Sequence, residues 1–140
     1  MAARQKATRD AARRRRVLVV DDAQGIRTYL ANLLELKGYD VLVAVDGVAA
    51  LEVARSDQPD LVVSDVEMPR MDGFDLTRAV RGDPQLRHIP IIMITSRTAE
   101  RHRAYAKEIG VNIYLGKPYQ EEELLGHIAG FAGKGAPTEA

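Results

Sequence analysis

The chain is 140 residues long, 46% hydrophobic and 29% charged, enough for one domain with a core and too short for two ordinary ones. Cysteine is absent, which excludes disulfides and thiolate metal sites, and the longest apolar runs reach about five or six residues against the roughly 20 that span a bilayer. With a formal net charge of zero and no signal-peptide core behind the charged start, a cytoplasmic protein without membrane contact is expected.

Taken in chain order, the first feature is an uneven charge distribution. Residues 1–16 hold Arg4, Lys6, Arg9, Arg13, Arg14, Arg15 and Arg16 against Asp10, so the remainder is acidic. An Ala/Arg-rich stretch beside a domain reads as a solvated linker or tail over residues 1–15, in preference to a contact with nucleic acid or anionic lipid.

Val17 to Val20 is the first of five short apolar bursts. Ile26, Leu30, Leu33, Leu34 and Lys37 follow at helical spacing, closed by Gly38 as a C-terminal cap. The second burst is Val41 to Val45, followed by a helix carrying Ala50, Leu51 and Ala54. The third is Leu61 to Val63, followed by Phe74, Ala79 and Val80. The fourth is Ile91 to Ile94, followed by Ala106 and Ile109. The fifth is Ile113 to Leu115, followed by Leu124, Leu125, Ile128 and Phe131. The bursts are Val/Ile-rich and near-continuous, as in strands covered on both faces of a parallel sheet. Five alternations with room for right-handed crossovers predict an α/β, three-layer, doubly wound (βα)5 domain over residues 16–132, with a disordered tail over 133–140.

In such a sheet, ligands bind beyond the carboxyl ends of the strands, near the point where strand order reverses. Those ends here are Asp21-Asp22, Asp65, Thr95-Ser96 and Lys117-Pro118. With the flavodoxin-like order 2-1-3-4-5, strands one and three are neighbours, and Asp21, Asp22 and Asp65 share one crevice. Two carboxylates about 5 Å apart repel by roughly 3 kcal/mol at an effective dielectric near 20, so a cation must offset them. Oxygen-only donors with no His or Cys suit Mg²⁺. Magnesium and Lys117 together make a phosphate site, a Thr hydroxyl can bond one phosphoryl oxygen, and Asp65 is positioned as the nucleophile. The product is an aspartyl phosphate, a transient signal.

The motifs VLVVDD ending at Asp22, DLVVSDVEMPRMDG from Asp60 to Gly73, PIIMITS from Pro90 to Ser96 and YLGKP from Tyr114 to Pro118 resemble those of CheY-like receiver domains of two-component response regulators. The resemblance covers residues 16–132. It implies Asp65 as phosphoacceptor, Asp22 as a direct Mg²⁺ ligand, Asp21 as a ligand through water, and Glu67 as donor of a backbone carbonyl to the metal. Thr95 and Lys117 correspond to the pair that binds the phosphoryl oxygens, and Tyr114 to the aromatic switch that turns inward when Thr95 moves to the phosphate. It further implies a cis Lys117-Pro118 bond and Asp72-Gly73 as a helix start. The partners implied are a histidine kinase or histidine phosphotransfer domain, and a downstream protein target on the face of the fourth helix, fifth strand and fifth helix. The chain would assist its own phosphorylation and dephosphorylation without being an enzyme in its own right. Gln24 and Glu67 depart from the commonest pattern and are expected to tune the lifetime of the phosphate. DVEMPRMDGFDL and IIMITSRTAERHRAYAKEIGVNIYLGKPYQEEELL resemble, more narrowly, the receiver at the end of chemotaxis-type hybrid histidine kinases of the type IV pilus class.

Other readings fit less well. A haloacid-dehalogenase-like phosphatase carries D-x-D after the first strand, whereas Asp21 and Asp22 are adjacent and no cap domain fits. A degenerate receiver acting only as an interaction module would lack a site residue, and none is missing. Gly110 to Lys117 has the wrong spacing for a P-loop and Pro118 where Ser or Thr is needed, and the acidic-flanked Ala23-Gln24-Gly25 is no flavin loop, so no small-molecule cofactor is expected. Nucleic-acid binding rests on the Arg-rich segment alone. His88, His102 and His127 read as surface residues, and Met68, Met71 and Met93 as packing. Tyr105 and Tyr119 are either partner-face or structural residues, and Ser96 either touches the phosphoryl group or fills the turn.

Overall fold

The computed structural model describes residues 15–133; all but residue 15 of the expected linker over 1–15, and all but residue 133 of the expected tail over 133–140, lie outside the described residues. Five strands alternate with five helices: β1 (Arg16–Val20), α1 (Gln24–Leu36), β2 (Asp40–Ala44), α2 (Gly47–Asp57), β3 (Leu61–Asp65), α3 (Gly73–Gly82), β4 (Ile91–Thr95), α4 (Glu100–Ile109), β5 (Ile113–Gly116) and α5 (Glu121–Ala132). The strands form one parallel sheet in the order β2-β1-β3-β4-β5, as the alternation predicts. Val20 pairs with Ser64, Asp65 with Ile94 and Thr95 with Gly116, so the polar strand ends lie nearly level along one edge.

Continuous apolar strands need cover on both faces, and they receive it. Val17 and Val19 face Leu30, Leu34, Leu124 and Ile128 of α1 and α5. Leu18 and Val20 face Ala50, Leu51 and Ala54 of α2 and Leu76 and Val80 of α3. A smaller cluster seats Ala106 of α4 on Phe74 and Met93. The edge strand β2 departs from two-sided burial: Val43 and, just past the strand, Val45 are 48% and 45% exposed, with no further strand beyond β2 among the described residues. Ile26 and Phe131, expected on buried helix faces, are each 40% exposed. Ile26 lies in the first turn of α1, one turn ahead of the buried stripe of Leu30 and Leu34, and Phe131 stands beside the stripe of Leu124, Ile128 and Ala132 that α5 buries.

The predicted helix stops have their physical counterparts. Gly38 has φ 95°, and the Tyr39 N–H turns back to the Leu34 carbonyl at 3.1 Å, closing α1. Asp72 caps α3 by accepting the Asp75 N–H at 2.8 Å. The Tyr39 hydroxyl donates to the Gly133 carbonyl at 2.7 Å, which ties the end of α5 to the turn before β2. Among the described residues no helix is long and apolar enough to cross a membrane.

Candidate functional site

Because β1 and β3 are neighbours in register, the chain leaves both strands side by side at Asp21, Asp22 and Asp65. One carboxylate oxygen from each lies within 4.8 Å of the other two. Asp21 is buried and its Oδ1 accepts the Ala23 N–H at 2.9 Å, while Asp22 is exposed. The Asp65 side chain is 14% exposed; Oδ1 accepts the Val66 N–H at 2.7 Å, and Oδ2 faces Lys117 Nζ at 3.7 Å. Burial pushes the Asp65 carboxyl above its ordinary range and the Asp21 charge adds to that push, while Lys117 and the Val66 and Glu67 N–H groups oppose it. Three convergent carboxylate oxygens with no His or Cys among them fit a small hard cation, with positions left for water and phosphate oxygens.

The approach of α3 to this site is set by Gly73. Its N–H donates to the Val66 carbonyl at 2.8 Å, and a Cβ there would fall well inside van der Waals contact with the Asp65 carbonyl oxygen.

Thr95 ends β4 fully buried, its Oγ1 accepting the Arg97 N–H at 3.0 Å. Lys117 follows β5, and its bond to Pro118 is cis. Tyr114, half-buried on β5, donates its hydroxyl to the Arg97 carbonyl at 2.6 Å; the Arg103 guanidinium lies 5.3 Å from its ring centre. The backbone of Arg97 therefore touches both Thr95 and Tyr114. Its side chain reaches the other way, placing Nη2 3.3 Å from Glu67 Oε2 across an open cavity of about 390 Å³ also lined by Asp22, Met68, Pro69 and Asp72.

The structure brings Asp21, Asp22, Asp65, Thr95, Lys117 and Tyr114 to one end of the sheet. Glu67 is there too, with its side chain turned to Arg97. Arg97 is the residue that sequence reasoning passed over. The available signal was positional: Glu67 and Arg97, opposite in charge, each stand two residues past the adjacent strand ends Asp65 and Thr95.

Against known proteins, the family described as the response regulator receiver domain matches residues 17–129. The chain belongs to that family. This receiver domain is 39% identical over 125 residues to response regulator MprA of Mycobacterium tuberculosis, covering 89% of this chain and 54% of the relative, so it spans about half the length of the curated relatives it matches. Among solved structures it is similar to chemotaxis protein CheY4 of Vibrio cholerae, with a TM-score of 0.78, 37% identity, and 84% and 98% of the two chains covered. It is also similar to the receiver domain of a signal transduction histidine kinase from Syntrophus aciditrophicus, with a TM-score of 0.79, 31% identity, and 89% and 96% covered.

Elsewhere in the receiver domain, Tyr105 packs edge-on against Phe74 with ring centres 5.2 Å apart, and Tyr119 packs on the cluster beneath α1 and α5. Met93 is fully buried, and Met68 and Met71 lie against the core of α2 and α3. His88 and Ser96 are exposed, and His102 and His127 half-buried.

Proposed function

We propose that Asp65 accepts a phosphoryl group from a phosphohistidine and that the domain changes shape in response. The observation that carries this reading is the placement of Asp65, with Oδ2 at 3.7 Å from Lys117 and one carboxylate oxygen within 4.8 Å of one each from Asp21 and Asp22, one strand away from the buried Thr95 hydroxyl. In the transfer, an Asp65 oxygen attacks phosphorus and the P–N bond breaks. Its electron pair stays on the imidazole nitrogen, and with the other ring nitrogen protonated in the phosphohistidine the ring leaves as neutral imidazole. The Lys117 ammonium stands beside the attacking carboxylate, where it balances charge on the incoming group.

Asp21, Asp22 and Asp65, with the Glu67 backbone carbonyl, would hold Mg²⁺, which when bound neutralises charge on the phosphoryl oxygens. The Thr95 hydroxyl then turns from the Arg97 N–H to donate to a phosphoryl oxygen. Tyr114, bonded to the same residue, follows that movement, and the populations shift from inactive to active. Glu67 and Gln24 flank the centre and tune how long the phosphate stays.

The donor is a histidine kinase or histidine phosphotransfer domain; the narrower sequence resemblance favours a chemosensory hybrid kinase. The output partner docks on the α4-β5-α5 face. A cytoplasmic location goes with this reading. Incubation with phosphoramidate and Mg²⁺ should add the mass of one phosphoryl group, removable by hydroxide and absent in EDTA. Repeated turnover of p-nitrophenyl phosphate would instead place the domain with phosphatases.

A further inference from the structure

The loop from Val66 to Asp72 carries Glu67 and must turn the chain from β3 into α3. Among the described residues, Gln58 and Arg70 are the only ones other than glycine with positive φ, and Gln58 is the C-cap of α2. Arg70 sits inside the loop at φ 67°, a left-handed conformation that a side chain with a Cβ disfavours. What holds it there is Asp46. Arg70 Nε and Nη2 both donate to Asp46 Oδ2, at 2.7 and 2.6 Å. Asp46 is itself a fixed post: its side chain is 3% exposed, and Oδ1 caps α2 by accepting the Ala49 N–H at 2.9 Å. Arg70 is 62% exposed, so it fills no core space.

The next residues repeat the attachment. The Gly47 N–H donates to the Met71 carbonyl at 3.1 Å, and the Met71 side chain occupies the space a Cβ on Gly47 would need. Two successive loop residues are thus docked on the turn after β2, while Gly73 pins the far end of the loop to Val66. β2 and β3 flank β1, the strand that runs into Asp21 and Asp22. Only Glu67, Met68 and Pro69 lie between the pins at Val66 and Arg70.

We infer that Arg70 and Asp46 are positioning residues for the metal site, holding the Glu67 carbonyl in reach of a cation bound by Asp21, Asp22 and Asp65. This inference rests on the Mg²⁺ reading of that cluster. Groups that orient metal ligands from outside commonly change affinity by 10–100-fold when removed.

The test is calorimetric titration of MgCl₂ into the full, unphosphorylated chain. Arg70→Gly removes the tie and suits the left-handed backbone, which separates the tie from strain. Asp46→Asn keeps an oxygen for the Ala49 N–H and loses the ion pair. Each variant is expected to raise the Mg²⁺ Kd by about tenfold, with the double variant no weaker than either single one and the thermal midpoint of Arg70→Gly within a few degrees of the parent's. Parental Mg²⁺ affinity in both variants, or losses that multiply in the double variant, would overturn the inference while leaving the metal reading intact. No Mg²⁺ binding by the parent chain would overturn both.

Discussion

Replacing Asp65 with Asn should stabilise the metal-free domain, and the size of the gain follows from the site. With their convergent oxygens within 4.8 Å and an effective dielectric near 20, Asp21 repels Asp65 by at least about 3.5 kcal/mol. Lys117 at 3.7 Å attracts it by about 4.5 kcal/mol before solvent screening of its side chain, which is 36% exposed, so the two nearly cancel. What remains is the desolvation of a carboxylate that is 14% exposed, the largest cause of its raised pKa, which the Val66 and Glu67 N–H groups offset only in part. A net cost of about 1–2 kcal/mol is expected, equivalent to a rise of about 3–8 °C in the melting midpoint of the Asn variant in EDTA. The pH dependence has a definite sign. Because the folded-state pKa lies above the unfolded value of 3.8, the cost is full at neutral pH and disappears as pH falls through the folded pKa toward 3.8. The gap between variant and parent should therefore narrow in acid. Added Mg²⁺ should reverse the order, since a ligand at 100 times its Kd contributes about 2.7 kcal/mol to the parent and less to a variant with one carboxylate fewer. An Asn variant no more stable than the parent in EDTA at neutral pH would refute the picture of an electrostatically costly cluster.

Two further substitutions probe how the site is built and how it signals. Gly73→Ala forces a Cβ against the backbone of Asp65 and should cost about 2–4 kcal/mol in urea unfolding, whereas Gly126→Ala, in α5 with open space around it, should gain about 0.5–1 kcal/mol; equal effects at the two positions would contradict the close approach of α3 to β3. Tyr114→Phe removes the bond to the Arg97 carbonyl and should take up phosphate at the parental rate, with smaller phosphorylation-induced amide shifts over α4 than the parent shows; undiminished shifts would remove Tyr114 from the relay.

The fold was legible because each strand is a short apolar run whose alternate residues are both needed, Val17 and Val19 on one layer and Leu18 and Val20 on the other. The site carboxylates, Thr95 and Lys117 were legible for a related reason: a polar residue directly after a buried strand stands at the sheet's carboxyl edge, and strand order alone makes Asp21 and Asp65 neighbours. Less visible were contacts set by loop geometry. Nothing local in Glu67 or Arg97 indicates that the two side chains meet, since 30 residues separate them. Asp46 and Arg70 are likewise ordinary turn residues until the backbone of Arg70 is seen at positive φ. Ile26 and Phe131 misled because helical periodicity marks an apolar face without showing which stripe of it is covered: Ile26 precedes Leu30 and Leu34 by a turn, and Phe131 flanks Leu124, Ile128 and Ala132.

The central claim is tested most directly by transfer of a radiolabelled phosphoryl group from an autophosphorylated histidine kinase to the chain in Mg²⁺. Label that survives acid, is lost in base, and is missing from Asp65→Asn is the predicted result. Equal labelling of the parent and the Asn variant would contradict the account.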